Sequence, residues 1–260
     1  MIDYKEKYKI CGALPSPKDD RDYPINMLIA KAPKLPHYFR TNVGQPILDQ
    51  GNVGCCVAET LVTIKWIQEH MQNNTEDRYS AMMIYGNRDI TKDYVGSGMF
   101  PREALKHLKD TGVCKEEYYD GLFEYEEAIK KYYSNKTSLD AHAYPYRISS
   151  YYRLNSKLDI MQALVTTGCV QVCVPVYESL YFPDKNGNVK YVEGQENFGG
   201  HSVSCIGYDV DKYVWIIQNS WGSEYGDNGV IYLDMDYPIT EAWAIVDEIT
   251  EQDIIAKYKE

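Results

Sequence analysis

The chain has 260 residues, enough for one large domain or two halves sharing a cleft. Its apolar and charged fractions, 44% and 25%, are ordinary for a globular protein, and a formal charge of −11 argues against nucleic-acid binding, which needs clustered Lys and Arg. No stretch approaches the run of about 20 apolar residues that spans a bilayer, residues 1–10 lack the apolar centre of a signal peptide, and seven cysteines without a Cys-x-x-Cys pair indicate free thiols in a reducing, cytoplasm-like compartment.

Residues 1–35 are punctuated by Pro15, Pro17, Pro24 and Pro33, which forbids long regular elements. This stretch reads as an arm or pro-like leader preceding a domain over 36–250 and a tail over 251–260. From Cys56 to about Gln72 the chain predicts its best helix. Ala58, Leu61, Val62, Lys65, Trp66 and Glu69 form a mostly apolar stripe at three- and four-residue steps, with Lys and Glu largely outside it. Further helices are predicted at 79–90, 101–110 and 123–133, with Gly112 a stop signal after Asp110. The front half, about 50–140, is therefore helical.

The back half, about 141–250, changes character. Residues 144–152 read as extended, and Asn155 is a candidate N-cap for a helix to Thr167, ended by Gly168. Strand-like runs follow at 169–176, 201–208, 212–218, 229–234 and 242–247. Cys169, Cys173 and Cys205 lie in these runs as small core residues. Asn186-Gly187, between residues 181–182 and 189–192, predicts a hairpin in preference to a calcium loop, because the glycine is out of place for one. A helical half followed by an antiparallel half is an α+β layout with a cleft between its layers.

Three segments carry chemistry. Gln50-Gly51-Asn52-Val53-Gly54-Cys55-Cys56 delivers Cys56 to the first turn of a helix, where free N–H groups and the macrodipole favour a thiolate. Cys55, one residue earlier, points elsewhere. His201 opens a strand after Gly199-Gly200 and can exchange a proton with a nearby thiol. His37, His70, His107 and His142 sit among polar neighbours and read as solvated. Asn219, in Gln218-Asn219-Ser220-Trp221-Gly222, offers a carbonyl to the second imidazole nitrogen, and Trp221 can shield that bond. Gln50 can donate to an oxyanion alongside the backbone N–H of Cys56. Cys, then His and Asn, follow in the papain-like order, at or just beyond the long end of its spacing of about 130–150 residues.

At these residues the chain resembles the papain-like cysteine peptidases. Gln50 to Cys56, Gly200-His201-Ser202-Val203 with Gly207-Tyr208, and Asn219-Ser220-Trp221-Gly222 with Tyr225 to Gly229 look like three of the family's blocks. The resemblance implies a two-subdomain α+β fold, with a helical half and an antiparallel β-barrel-like half. It assigns Cys56 as nucleophile, His201 as acid/base, Asn219 as orienter and Gln50 as oxyanion donor. Gly98 would lie by the wall that pairs with substrate backbone, with Met99, Gly200 and Trp221 as further substrate contacts. The position after the nucleophile, usually Trp, is Val57, and the family disulfide is absent at both expected ends, Val53 and Gly96. Residues 12–23 look like the short leader of bacterial and phage members.

The implied function is thiol endopeptidase, needing no metal or organic cofactor, with a peptide or protein as partner and neither nucleic acid nor membrane. A transamidase or ligase using the same thioester, and a non-catalytic module on the same fold, are the alternatives. The arm is expected to pack on the catalytic half and limit access. Loops near Gly98, 177–196 and 239–243 line the pockets, and Glu241 either favours a basic substrate residue or is exposed.

Overall fold

The computed structural model describes residues 9–29, 31–41, 46–88 and 98–247. Its centre is α1, Cys56–Asn73, which Asn74 ends in the left-handed conformation at φ 51°. The α1 helix is buried on nearly every side from Cys56 to Gln68. That enclosure is why its apolar stripe is broad and why Lys65, one of the stripe positions, is buried. Lys65 is 2% exposed and meets Asp247 at 2.5 Å and Glu69 at 2.7 Å. A buried ammonium is tolerable only when paired in this way.

Around α1 pack α2, Ala81–Gly86, and α3, Pro101–Asp110. Ser80 caps α2 by accepting from the Met83 N–H, and Pro101 opens α3 at a position where its missing N–H costs nothing. The predicted stop holds at Gly112, at φ +89°. The next helix, α4, spans Tyr125–Ala143, nearly three turns beyond the predicted end at 133. Its second half lacks an apolar stripe. No Gly or Pro interrupts it, and pairs at four-residue spacing, Glu127 with Lys131 and Lys136 with Asp140, support it.

The other half is a sheet of eight strands: β1, Tyr38–Arg40; β2, Ile148–Arg153; β3, Val170–Pro175; β4, Asn188–Val189; β5, Gly200–Asp209; β6, Val214–Gln218; β7, Val230–Asp234; and β8, Glu241–Asp247. They run β2-β8-β3-β5-β6-β7-β4, with β1 also on β5. All pairings are antiparallel except β4 with β7. The sheet is open, so the expected barrel-like closure is corrected: β2 and β4 remain its two ends. One face packs on α1 and the other on α5, Lys157–Thr167. Val170, Val172 and Val174 face α5 while Cys169 and Cys173 face α1, which explains an unbroken apolar run in place of strict alternation.

Two further expectations shift. The N-cap of α5 is Ser156, not Asn155, because Ser156 with Asp159 makes a reciprocal pair: the Ser156 hydroxyl takes the Asp159 N–H and the Asp159 carboxylate takes the N–H of Asn155. No hairpin forms at Asn186-Gly187. Residues 178–181 are a short helix, α6, and β4 runs on to pair in parallel with β7. The local turn is real: the Asp184 carboxylate accepts from the N–H groups of Asn186 and Asn188 at 2.8 Å each, which also occupies the carboxylate that a calcium loop would use.

The chain's 25 tyrosines, for which the sequence offers no account, act widely as staples. Their hydroxyls donate to backbone carbonyls, Tyr208 to Pro36, Tyr237 to Pro175, Tyr119 to Ala128 and Tyr133 to Arg88. The rings of Tyr208, Tyr237 and Tyr119 fill core space while the hydroxyl satisfies a carbonyl. All seven cysteines are free, with Val53 buried where the family bridge would start; Gly96 and the tail lie outside the described residues.

Residues 9–29 run as an extended strap over both halves, with one 3-10 turn at Ile25–Met27. Ser16 donates its N–H to Glu241, the Arg102 guanidinium grips Asp22 and the carbonyl of Pro17, and Tyr23 accepts from the Arg153 N–H.

Candidate active site

The loop before α1 is tied to the chain after β6. The Gln50 N–H donates to the Ser220 carbonyl at 2.9 Å, the Gly222 N–H to Leu48 at 3.0 Å, and Asp49 bridges Trp221. Gly51, at φ +55°, makes the tight turn that follows. The chain is thereby brought round to Cys56 at the first position of α1, fully buried. Cys55 turns away, its thiol on Glu59 at 3.5 Å.

His201 is the second residue of β5, on the strand that pairs with β6, and Asn219 directly follows β6. Its Nε2 lies 2.7 Å from the Asn219 Oδ1, which can only accept, so Nε2 carries the proton and Nδ1 is left with a lone pair and no hydrogen-bond partner. The Trp221 ring stacks on the imidazole at 4.7 Å between centroids and shields that bond, as expected. Tyr181 stacks in turn on Trp221 at 5.4 Å. The next residue, Ser202, aims its N–H at the Cys56 sulfur, so helix start and strand start meet at the thiol.

Burial dominates the electrostatics. It raises the Cys56 thiol above 9.0, against the pull of N–H groups from Ser202, Gly12, Val57 and Cys56 itself. Burial also lowers His201 from 6.5 to about 4, opposed by Asn219. Both groups are therefore held neutral in this conformation.

What buries them is the strap. Gln50 Nε2 donates to the carbonyl of Ile10 at 3.1 Å and to that of Val53 at 2.9 Å, while the Ser220 hydroxyl donates to its Oε1 at 2.7 Å. The Gly12 N–H reaches the Cys56 sulfur. Ala13 donates to the Gly200 carbonyl at 2.9 Å. Met99, rather than Gly98, makes the paired backbone contacts, donating to Gly12 at 2.7 Å and accepting from Leu14 at 2.9 Å. Gly98 instead gives room for the Leu14 side chain, and its carbonyl accepts from Arg88, whose guanidinium lies between the Tyr85 and Tyr125 rings. No side chain fits at Gly12 or Gly200: a Cβ there would lie 2.0 Å from the Gly54 oxygen or 2.2 Å from that of Ala13.

Glu241 is not exposed. At 3% exposure it accepts from Trp243 Nε1 at 2.7 Å, pairs with Arg153 at 3.2 Å and takes the Ser16 N–H at 2.8 Å. Sequence reasoning assigned no part to Ser220 or Ser202, and it expected the arm to limit access without saying which of its residues would lie on the site. The small pair Gly12-Ala13 was the only signal that a backbone passes close to another there.

The description "Papain family cysteine protease" matches residues 38–246. The chain belongs to the papain family of cysteine proteases. An uncharacterized peptidase C1-like protein of Acanthamoeba polyphaga mimivirus is 27% identical over 218 residues, 78% of this chain and 70% of the relative. A cysteine proteinase of Entamoeba histolytica is 24% identical over 219 residues, 80% of this chain and 65% of the relative. Among solved structures, xylellain, a cysteine protease from Xylella fastidiosa, superposes with a TM-score of 0.76 at 26% identity, covering 92% of this chain and 96% of that one. A procathepsin B of Trypanosoma congolense, at 17% identity and TM-score 0.72 over 96% and 90% of the two chains, shares the fold. This papain-family protease is a thiol endopeptidase, hydrolysing peptide bonds through an acyl-enzyme.

Proposed function

We propose that Cys56 is the nucleophile, His201 its proton partner, Asn219 the group that orients the imidazole, and Gln50 with the Cys56 N–H the oxyanion donors. We further propose that residues 9–16 are an intramolecular cover of the substrate cleft, within an arm of residues 1–35 attached to a protease unit over 36–250. The observation that carries this reading is the His201–Asn219 bond under Trp221, beside a helix-starting thiol.

With the strap in place, thiol and imidazole are neutral. Once it lifts, water reaches the pair and the thiol proton passes to His201 Nδ1, whose lone pair has no other partner. The thiolate attacks the scissile carbonyl, and Gln50 Nε2 turns from Ile10 to the oxyanion. His201 protonates the leaving amine, and water then resolves the thioester. Met99 and Gly200 offer the substrate backbone the groups now used by residues 12–14. The free thiols support a reducing compartment for this protease.

The test is covalent. A peptidyl epoxide should add one inhibitor mass to Cys56 in the full chain carrying Gly12→Ala, whose new Cβ cannot coexist with the seated strap. Folded protein that takes up no epoxide, or takes it up on another cysteine, would refute the assignment.

A further inference from the structure

We propose that Cys11 is the resolving thiol of an oxidation site at Cys56, so that mild oxidation ties the strap across the cleft through a Cys11–Cys56 disulfide. This rests on Cys56 being the nucleophile under the cover of residues 9–16.

The geometry begins at Gly12. Gly12 packs on the turn that leads into Cys56, where a Cβ would lie 2.0 Å from the Gly54 oxygen, its N–H is directed to the Cys56 sulfur, and the Cys11 Cα is two covalent bonds from that nitrogen, about 2.4 Å away by standard dimensions. Cys11 is thus one peptide unit from the nucleophile. In the reduced protein its sulfur points aside, 3.6 Å from the Tyr181 hydroxyl and 3.5 Å from the Lys9 carbonyl, while its Cβ faces Gly199, which has no side chain to block a turn toward the site. The other thiols are poorly placed. Cys55 is directed to Glu59, Cys114, Cys169 and Cys205 are sealed in the core, and Cys173 is fixed in β3 opposite Ser202. Cys11 is half-buried and sits on the strap that is proposed above to lift.

The chemistry needs a peroxide as oxidant. When the strap lifts, the Cys56 thiolate attacks the peroxide: an S–O bond forms, the O–O bond breaks, and hydroxide leaves, protonated to water. The Cys11 thiol then attacks the sulfenic sulfur. The S–S bond forms, the S–O bond breaks, and the departing hydroxide takes the Cys11 proton as a second water. Two thiols and one peroxide become one disulfide and two waters. With the strap seated, burial holds the Cys11 thiol up to about 12 and raises that of Cys56, so the covered reduced pair is inert. The tether keeps Cys11 at high effective concentration beside a newly formed sulfenic acid, ahead of a second peroxide. The product is a covered site that a thiol reductant reopens.

The experiment oxidises the reduced full chain and its Cys11→Ser variant with two molar equivalents of hydrogen peroxide, digests both without reduction, and maps linked peptides by mass. The wild-type chain should yield a Cys11–Cys56 peptide two hydrogens lighter than its parts, and peptidase activity should return with dithiothreitol. Cys11→Ser should yield the Cys56 sulfinic acid and lose recoverable activity. Cys56 oxidised without a link, unreacted, or linked to Cys55 or Cys173 would overturn the proposal, as would equal recovery in the variant. The epoxide adduct in the Gly12→Ala chain separates the two failures. With the adduct present and no link, only the oxidation site falls; without the adduct, the nucleophile assignment falls first.

Discussion

The side-chain amide of Gln50 donates to the carbonyl of Ile10 at 3.1 Å, so a peptide carbonyl of the chain itself occupies the proposed oxyanion donor. Around it the strap takes hydrogen bonds from Met99 and gives them to Gly200 and Met99.

Lifting the strap should therefore raise activity. In Gly12→Ala the new Cβ would sit 2.0 Å from the Gly54 oxygen, a backbone atom that cannot yield cheaply. A cost of about 1.4 kcal/mol to the covered state would raise the open population roughly tenfold where that state dominates. Initial rates on a peptide substrate measure this; an unchanged rate with an unchanged melting temperature would contradict it.

Gln50→Ala, placed in the Gly12→Ala background, should lower kcat by about 100-fold with little change in KM, because the lost donor acts on charge that develops in the transition state. Steady-state kinetics distinguish this from a mere binding defect, which would appear in KM.

In a Cys56→Ser chain, where His201 receives no thiol proton, acid should open the cleft. His201 stays neutral under the strap down to about pH 4, whereas a solvated imidazole takes its proton near 6.5. As pH falls below 6.5 the open state gains a proton that the covered state refuses, so the covered state weakens progressively until about pH 4, by up to ~3 kcal/mol. Above 6.5 this contribution is constant. Hydrogen exchange at the Ala13 and Leu14 amides, corrected for intrinsic rates, should show protection falling from pH 7 to 5. A flat profile would refute the coupling, and His201→Ala should flatten it.

Glu59 works in the opposite sense on global stability. Its carboxyl is raised from 4.5 to about 7, first by burial, so the folded chain holds a proton that the unfolded chain releases. That contribution is complete below 4.5 and is lost as pH rises through 7. Glu59→Gln should therefore stabilise the protein at pH 8 by ~1–3 kcal/mol relative to its effect at pH 4.5. Urea unfolding at the two pH values checks this.

Lys65→Met should cost about 3–5 kcal/mol, because it leaves Asp247 buried without its ammonium. The double variant Lys65→Met/Asp247→Leu should recover most of that loss in thermal unfolding. If the two single losses simply add, the pair is not coupled.

Helix and strand periods in the sequence located most elements, since a face that must be buried imposes a repeat on the chain. The errors came where contacts outside the segment decided the outcome. The partner of Lys65 is Asp247 at the far end of β8, and Glu241 is buried because Trp243, Arg153 and Ser16 converge on it. The predicted hairpin had the right turn residues, but β4 found its partner in β7, 44 positions along the chain.

The blocks at Gln50 to Cys56, Gly200-His201 and Asn219-Ser220-Trp221 were legible as chemistry from residue type and order alone, because a thiol at a helix start and an imidazole with an amide partner are local requirements. Only the tertiary structure brought Ser202 to the sulfur and laid residues 9–16 along Gln50, Met99 and Gly200. Those contacts are made largely by backbone groups, which every residue carries, and so they leave almost no trace in the identity of the side chains.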